Sequence, residues 1–263
     1  MTTTPVAGPI ALLLALALLP ACEGSGSLTD ETTPPPATSP EEVSIVAFDG
    51  LRLSGTYQAA PGAAAGPALL LLHQFERDRH DFDALGPDLL AAGYSLLAID
   101  FRSHGASEEA DIPRNSLLSD RDQLGYDVRA ALAYLQGRSS AVDPARVGVI
   151  GLSVGGNMAI VANHRTHGGG ASWGAQAIAT VSARQDRAED LAGDNTLSLR
   201  DGLYIAGDDE SPQNEDADAL AAITAGDAEA LRVAGTSAHG VALLDADPAV
   251  RARLVAWFEE IGL

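Results

Sequence analysis

Apolar positions change their spacing several times along this chain, and the changes divide it into elements. Val43 to Phe48 and Leu51 to Tyr57 alternate apolar and polar residues around Asp49-Gly50, the pattern of two strands joined by a tight turn. Ala68-Leu69-Leu70-Leu71-Leu72 has no polar break and predicts a strand buried on both faces. Asp81 to Ala92, ending at Gly93, reads as a helix, and Ser95 to Ile99 as another buried strand ending at Asp100. Gln123 to Gln136 sets Leu124, Val128, Leu132 and Leu135 at helical spacing. Val147 to Ile150 is strand-like and Asn157 to Ala162 helix-compatible. Further on, strands are predicted over Ala177 to Val181, Leu203 to Ala206 and Ala230 to Val233, with helices over Asn214 to Ala225 and Pro248 to Ile261.

Strands alternating with helices imply an α/β fold, a mostly parallel central sheet with helices on both faces. An antiparallel hairpin leads it off at the N-terminal end. Active sites of such sheets lie at the carboxyl ends of the strands, so the strand-end loops are where chemistry is sought.

Residues 1–42 lack this alternation. Ile10 to Leu19 is apolar but shorter than the ~20 residues of a membrane-spanning helix, and it suits the core of a signal peptide. Leu19-Pro20-Ala21-Cys22 resembles the bacterial lipobox, whose cysteine becomes the lipidated first residue of the mature protein. Met1 to Gly8 carries no Lys or Arg, whereas secretory signals ordinarily begin positive. Residues 23–42 contain Gly24-Ser25-Gly26-Ser27 and Pro34-Pro35-Pro36, acidic but no basic residues, and few large apolar ones. Such a stretch cannot offset the entropy of ordering and is expected to be a flexible tether. The expected organisation is a signal peptide over 1–22 with lipidation at Cys22, a tether over 23–42, and one catalytic domain over 43–263. It implies export to a bacterial cell envelope and a lipid anchor in the membrane.

Composition narrows the partners. The formal net charge is −20, and all 16 basic residues are arginine. A solvated acidic surface explains the charge, and the absence of clustered basic residues excludes nucleic acid as a partner. Cys22 is the sole cysteine, which excludes an internal disulfide and any cysteine-based metal site. Oligomeric state is left open.

Gly151-Leu152-Ser153-Val154-Gly155 lies between the strand-like and helix-compatible runs. Strand, tight turn and helix with a serine at the apex is the setting of a nucleophile elbow. Neighbours without side chains let strand and helix approach while Oγ projects outward. A serine needs a base, and the base needs a third group to orient it. In this architecture the order is serine, acid, histidine. Of the six histidines only His164, His167 and His239 follow Ser153. The first two fall on or just after the helix leaving the elbow, whereas His239 lies in a small-residue loop at a strand end and is the expected base. The acid is expected after Leu203 to Ala206, where Gly207-Asp208-Asp209-Glu210 offers three adjacent carboxylates and spacing alone leaves the choice open. The Val154 N–H, next after the nucleophile, is an expected oxyanion donor.

With these residues in order, the chain from about Val43 to Leu263 resembles the α/β-hydrolase superfamily, in particular its small dienelactone-hydrolase-like and esterase-like members. The resemblance places the acid three residues after a glycine, at Glu210, or at Asp209 if the turn is one residue shorter. It places a second oxyanion donor at the Phe75 amide in Leu72-His73-Gln74-Phe75, with Gln74 replacing the usual glycine and His73 buried beneath the loop. Asp100-Phe101-Arg102-Ser103-His104-Gly105-Ala106-Ser107 matches the family's D-x-R-G-H-G-x-S loop, with Ser103 in place of glycine; Arg102 and His104 are expected to hold loops together. The short polar connection Ser182 to Gly202 leaves no room for a large lid. The resemblance thus implies a serine hydrolase cleaving carboxylic esters or related small acyl substrates through an acyl-enzyme, with no metal or organic cofactor. Two other readings stay open: a non-catalytic envelope lipoprotein that uses the fold for binding, and an acyltransferase.

Overall fold

Leu69 and Leu71 point to one face of their strand and Ala68, Leu70 and Leu72 to the other, and both sets are buried. That strand therefore lies inside a layered sheet, as an unbroken apolar run requires. The computed structural model describes residues 38–62 and 64–263. The expected signal peptide, Cys22 and most of the expected tether lie outside the described residues.

Eight strands form one sheet: β1 (Glu41–Val46), β2 (Arg52–Gln58), β3 (Gly66–Leu72), β4 (Ser95–Ile99), β5 (Val142–Leu152), β6 (Ala177–Val181), β7 (Leu199–Gly207) and β8 (Thr224–Val233). Their spatial order is β1-β2-β4-β3-β5-β6-β7-β8. The β1–β2 and β2–β4 pairs are antiparallel, and every other pair is parallel. This is the α/β-hydrolase fold, with the N-terminal hairpin at one edge. One face is covered by α2 (Gln123–Gly137), α3 (Val154–His167), α4 (Gln185–Ala192) and α5 (Gln213–Ile223). The other is covered by α1 (Gly86–Ala91), α6 (Val241–Ala246) and α7 (Pro248–Glu260). Gly148 shows how closely α7 packs, since a Cβ there would lie 2.9 Å from the Phe258 ring.

From β3 the chain runs outward to β4 and then returns to place β5 on the other side of β3. Loops leaving β3 and β5 consequently diverge and open a crevice at their carboxyl ends. Ser153 follows β5, and Gln74 and Phe75 follow β3.

The structure corrects several element boundaries. The helix expected over Asp81 to Ala92 is a single 3-10 turn (Arg79–Phe82) followed by α1, because Pro87, which lacks an N–H, starts a new helix. Glu41 and Glu42, expected in the tether, belong to β1 opposite Tyr57 and Thr56. Their charges sit on an exposed edge, where Arg138 and Arg79 pair with them. The last parallel strand begins at Thr224, directly after α5. Thr224 ends that helix by donating its hydroxyl to Leu220 O at 2.7 Å. Most of the added strand is exposed, and an edge strand facing solvent has no apolar alternation to betray it. Among the described residues, no helix is long and apolar enough to cross a membrane.

Candidate active site

Ser153 sits at the turn between β5 and α3 with φ 52° and ψ −114°, a conformation that costs an L-residue free energy and persists only where surroundings enforce it. The flanking glycines are required by contact. A Cβ at Gly151 would lie 2.1 Å from Gly155 O, and one at Gly155 would lie 2.1 Å from Leu72 O. The helix therefore starts against the ends of both β5 and β3, and the serine is left half-exposed.

Three of the expected site residues meet there. His239 Nε2 lies 2.7 Å from Ser153 Oγ, and His239 Nδ1 lies 2.6 Å from Glu210 Oε1. An ionised carboxylate only accepts, so Nδ1 carries the proton and Nε2 accepts from the serine hydroxyl. The His239 side chain is 42% exposed, whereas that of Glu210 is 6% exposed. The second carboxylate oxygen, Oε2, accepts from the Gly207 N–H (3.1 Å) and from the Ser182 hydroxyl (3.0 Å). Gly207 and Glu210 close a tight turn, with the Glu210 N–H donating to Gly207 O at 3.1 Å. That turn folds the longer glutamate side chain back toward the imidazole. The neighbours point elsewhere: exposed Asp208 pairs with Arg232 at 2.8 Å, and exposed Asp209 engages Thr236 O through its backbone N–H.

Ser182 was not anticipated, although it stands at the carboxyl end of a predicted strand, where site residues collect. It is buried with φ 59°, and besides donating to Glu210 it accepts from the Gly240 N–H at 2.9 Å. The Val154 and Phe75 amides lie at the ends of β5 and β3, and neither donates to an acceptor among the described residues. His164 and His167 lie away from the site on α3: His164 Nδ1 accepts from the Ser198 N–H, and His167 Nε2 lies 3.3 Å from Gln176 O.

The remaining polar residues of the two family-like loops are scaffold. His73 is fully buried, donating from Nδ1 to Gln74 O (2.7 Å) and accepting at Nε2 from the Phe101 N–H (2.9 Å). Burial lowers its pKa from 6.5 to about 4, so the ring is neutral. Arg102 is buried between Asp127, which accepts from its Nε at 2.9 Å, and Asp49, which accepts from its Nη1 at 2.7 Å. Ser103 keeps the positive φ (61°) that glycine would adopt without cost, and its Oγ accepts from the Ala110 N–H. The connection between β6 and β7 carries only α4, eight residues long. Among the described residues, no group of three or more His, Cys, Asp and Glu is arranged to hold a metal ion.

The sequence profile of the Dienelactone hydrolase family matches residues 55–232, more than half of the chain. An uncharacterised protein of Mycobacterium tuberculosis is 33% identical over 119 residues, which are 45% of this chain and 39% of that protein. The chain thus spans about two fifths of the length of that curated relative. The fold matches the esterase Pf2001 of Pyrococcus furiosus with a TM-score of 0.64 and 17% identity, covering 86% of this chain and 98% of the other. It matches a dienelactone hydrolase from Anabaena variabilis with a TM-score of 0.62 and 21% identity, covering 85% and 99%. At such identities the two structures share the fold alone with this chain. The profile match goes further, and on it the chain belongs to the dienelactone hydrolase family.

Proposed function

We propose that the protein is a serine-dependent hydrolase that cleaves carboxylic esters of small acyl groups through an acyl-enzyme on Ser153. The observation that carries this reading is the continuous line from Ser153 Oγ through His239 to Glu210, at 2.7 and 2.6 Å. Ser153 Oγ attacks the ester carbonyl as its proton passes to His239 Nε2. Glu210 stabilises the imidazolium so formed and holds the ring in the required tautomer. The Val154 and Phe75 amides receive the oxyanion, where such donors are worth several kcal/mol of barrier. Imidazolium then returns the proton to the departing alkoxide. A water molecule, deprotonated by His239, releases the acid and restores the serine. The short β6–β7 connection favours small or surface-presented acyl groups over substrates that need a closing lid. Family membership and the esterase among its structural relatives support the same chemistry.

Hydrolysis of short-chain nitrophenyl esters, with labelling by a serine-reactive phosphonate, tests the reading. Turnover and labelling are expected in the native chain and neither in Ser153→Ala. Folded protein that stays unlabelled would favour a binding module, and ester consumed faster with an added alcohol, with a new ester formed, would favour acyl transfer.

We further propose that the chain is exported and lipid-anchored at Cys22, on the strength of Leu19-Pro20-Ala21-Cys22 and the apolar run before it. Metabolic labelling with an alkyne fatty acid is expected to mark the native chain in a bacterial host. Equal labelling of Cys22→Ala would remove the proposal.

A further inference from the structure

Gln74 stands where the resemblance places glycine, and its side chain makes a bond that glycine cannot. Gln74 Oε1 accepts from the Val241 N–H at 2.8 Å, across 167 positions of chain. Val241 opens α6, and Gly240 before it has no side chain to cap the helix. The first N–H groups of a helix lack partners within it, and here one finds its acceptor on the loop after β3. The approach is close, since a Cβ on Gly240 would lie 2.0 Å from Gln74 Oε1.

The backbone of Gln74 is itself held at both ends. Its N–H donates to Asp81 Oδ2 at 3.2 Å, and Asp81 is buried and paired with Arg77 at 2.5 Å. Its carbonyl accepts from His73 Nδ1 at 2.7 Å. His239 is followed directly by Gly240 and Val241, whose consecutive amides are held by Ser182 after β6 and by Gln74 after β3. Phe75, the next residue after Gln74, carries the amide assigned to the oxyanion.

We infer that Gln74 is a positioning residue that locks the His239 loop to the loop bearing the Phe75 amide. The imidazole and the oxyanion donor then address one carbonyl from a fixed mutual distance. Gln74 touches neither substrate nor reacting atoms and acts through Val241 and Phe75. The inference rests on the esterase reading.

Two substitutions in the full-length chain test it. Gln74→Met keeps the length of the side chain and removes the acceptor; Gln74→Glu keeps the acceptor. Each is measured for kcat and KM on nitrophenyl acetate, for the downfield proton of the His239–Glu210 hydrogen bond by NMR, and for its urea midpoint. Gln74→Met is expected to lower kcat ~10-fold, the scale of a small misplacement of catalytic groups, with KM little changed and the downfield proton broadened. Gln74→Glu is expected to recover both rate and signal. Native kcat and an unmoved proton in Gln74→Met would overturn the inference. So would a loss that Gln74→Glu fails to recover while the urea midpoint falls, which marks general destabilisation. Native protein that neither turns over ester nor takes the phosphonate refutes the esterase reading instead, and the proton signal still decides whether Gln74 positions His239.

Discussion

Ser182 donates its hydroxyl proton to Glu210 Oε2 at 3.0 Å, and the Ser182 Oγ in turn accepts from the Gly240 N–H at 2.9 Å. One buried hydroxyl therefore joins the carboxylate that orients His239 to the residue that follows His239. Glu210 and the histidine loop cannot shift independently while it is in place.

Ser182→Ala isolates that hydroxyl, because serine and alanine share the strain of the positive φ at this position. The substitution leaves the buried Gly240 N–H unpaired, a loss of about 1–3 kcal/mol. Glu210 Oε2 keeps the Gly207 N–H, so the carboxylate is loosened without being orphaned. The expected result is a lower urea midpoint together with reduced kcat at unchanged KM. An unaltered midpoint would show that the hydroxyl is dispensable.

The choice among three adjacent carboxylates is open to rate measurements. Glu210→Gln keeps the shape but leaves an amide that can present a donor to Nδ1, so the imidazole loses its required tautomer and kcat is expected to fall by ~10³–10⁴. Glu210→Asp withdraws the carboxylate by one methylene from a 2.6 Å contact and is expected to fall between native and Gln. Asp208→Asn and Asp209→Asn change exposed side chains and should leave kcat near native. Collapse of Asp209→Asn beside an active Glu210→Gln would reassign the acid.

Acid should destabilise the fold through His73. Burial holds its pKa at about 4, against an ordinary value of 6.5. Between those values the unfolded chain carries the extra proton, so stability rises with pH. The contribution is complete above about pH 6.5, is lost as pH falls toward 4, and amounts to about 3 kcal/mol. As pH is lowered from 8 to 4, urea midpoints should fall more gently in His73→Gln, which cannot titrate, than in the native chain. Identical slopes would show that His73 is not the group involved.

What the sequence reveals about this molecule follows where burial leaves a mark. Leu69 to Leu72 are legible as a strand because both faces of β3 are covered, while β8 is legible only at Ala230 to Val233 because Ala225 to Ala228 are exposed on the edge of the sheet. Ser153 is legible because the approach of Gly151 to Gly155 and of Gly155 to Leu72 leaves room only for glycine at both positions, and the glycines show in the sequence. His239 follows from chain order and strand-end position. Glu210 could not be separated from Asp209, since the turn back to Gly207 decides which side chain reaches inward. The Ser182–Glu210 and Gln74–Val241 bonds span 28 and 167 positions, and no local pattern encodes such pairings.

Arg102 supplies a test of the scaffold beneath the site. Its Nε and Nη2 donate to Asp127 Oδ1 at 2.9 and 2.6 Å, its backbone N–H donates to Asp127 Oδ2 at 3.0 Å, and both side chains are buried. Burial pushes the Asp127 carboxyl up, to about 6, against the lowering pull of Arg102. Arg102→Met removes that pull and strands a buried carboxylate, which costs about 3–5 kcal/mol where the charge persists. Asp127 in the variant titrates above its native value, so at neutral pH the folded form holds a proton that the unfolded chain releases. Stability of Arg102→Met should therefore fall as pH rises, and its deficit against native protein should be larger at pH 8 than at pH 6. Adding Asp127→Leu removes the stranded charge and is expected to recover part of the loss at pH 8. Urea midpoints of native, single and double variants at the two pH values measure both effects. A deficit independent of pH, left unrecovered by Asp127→Leu, would assign the loss to the packing of the Arg102 side chain and its bonds to Asp49.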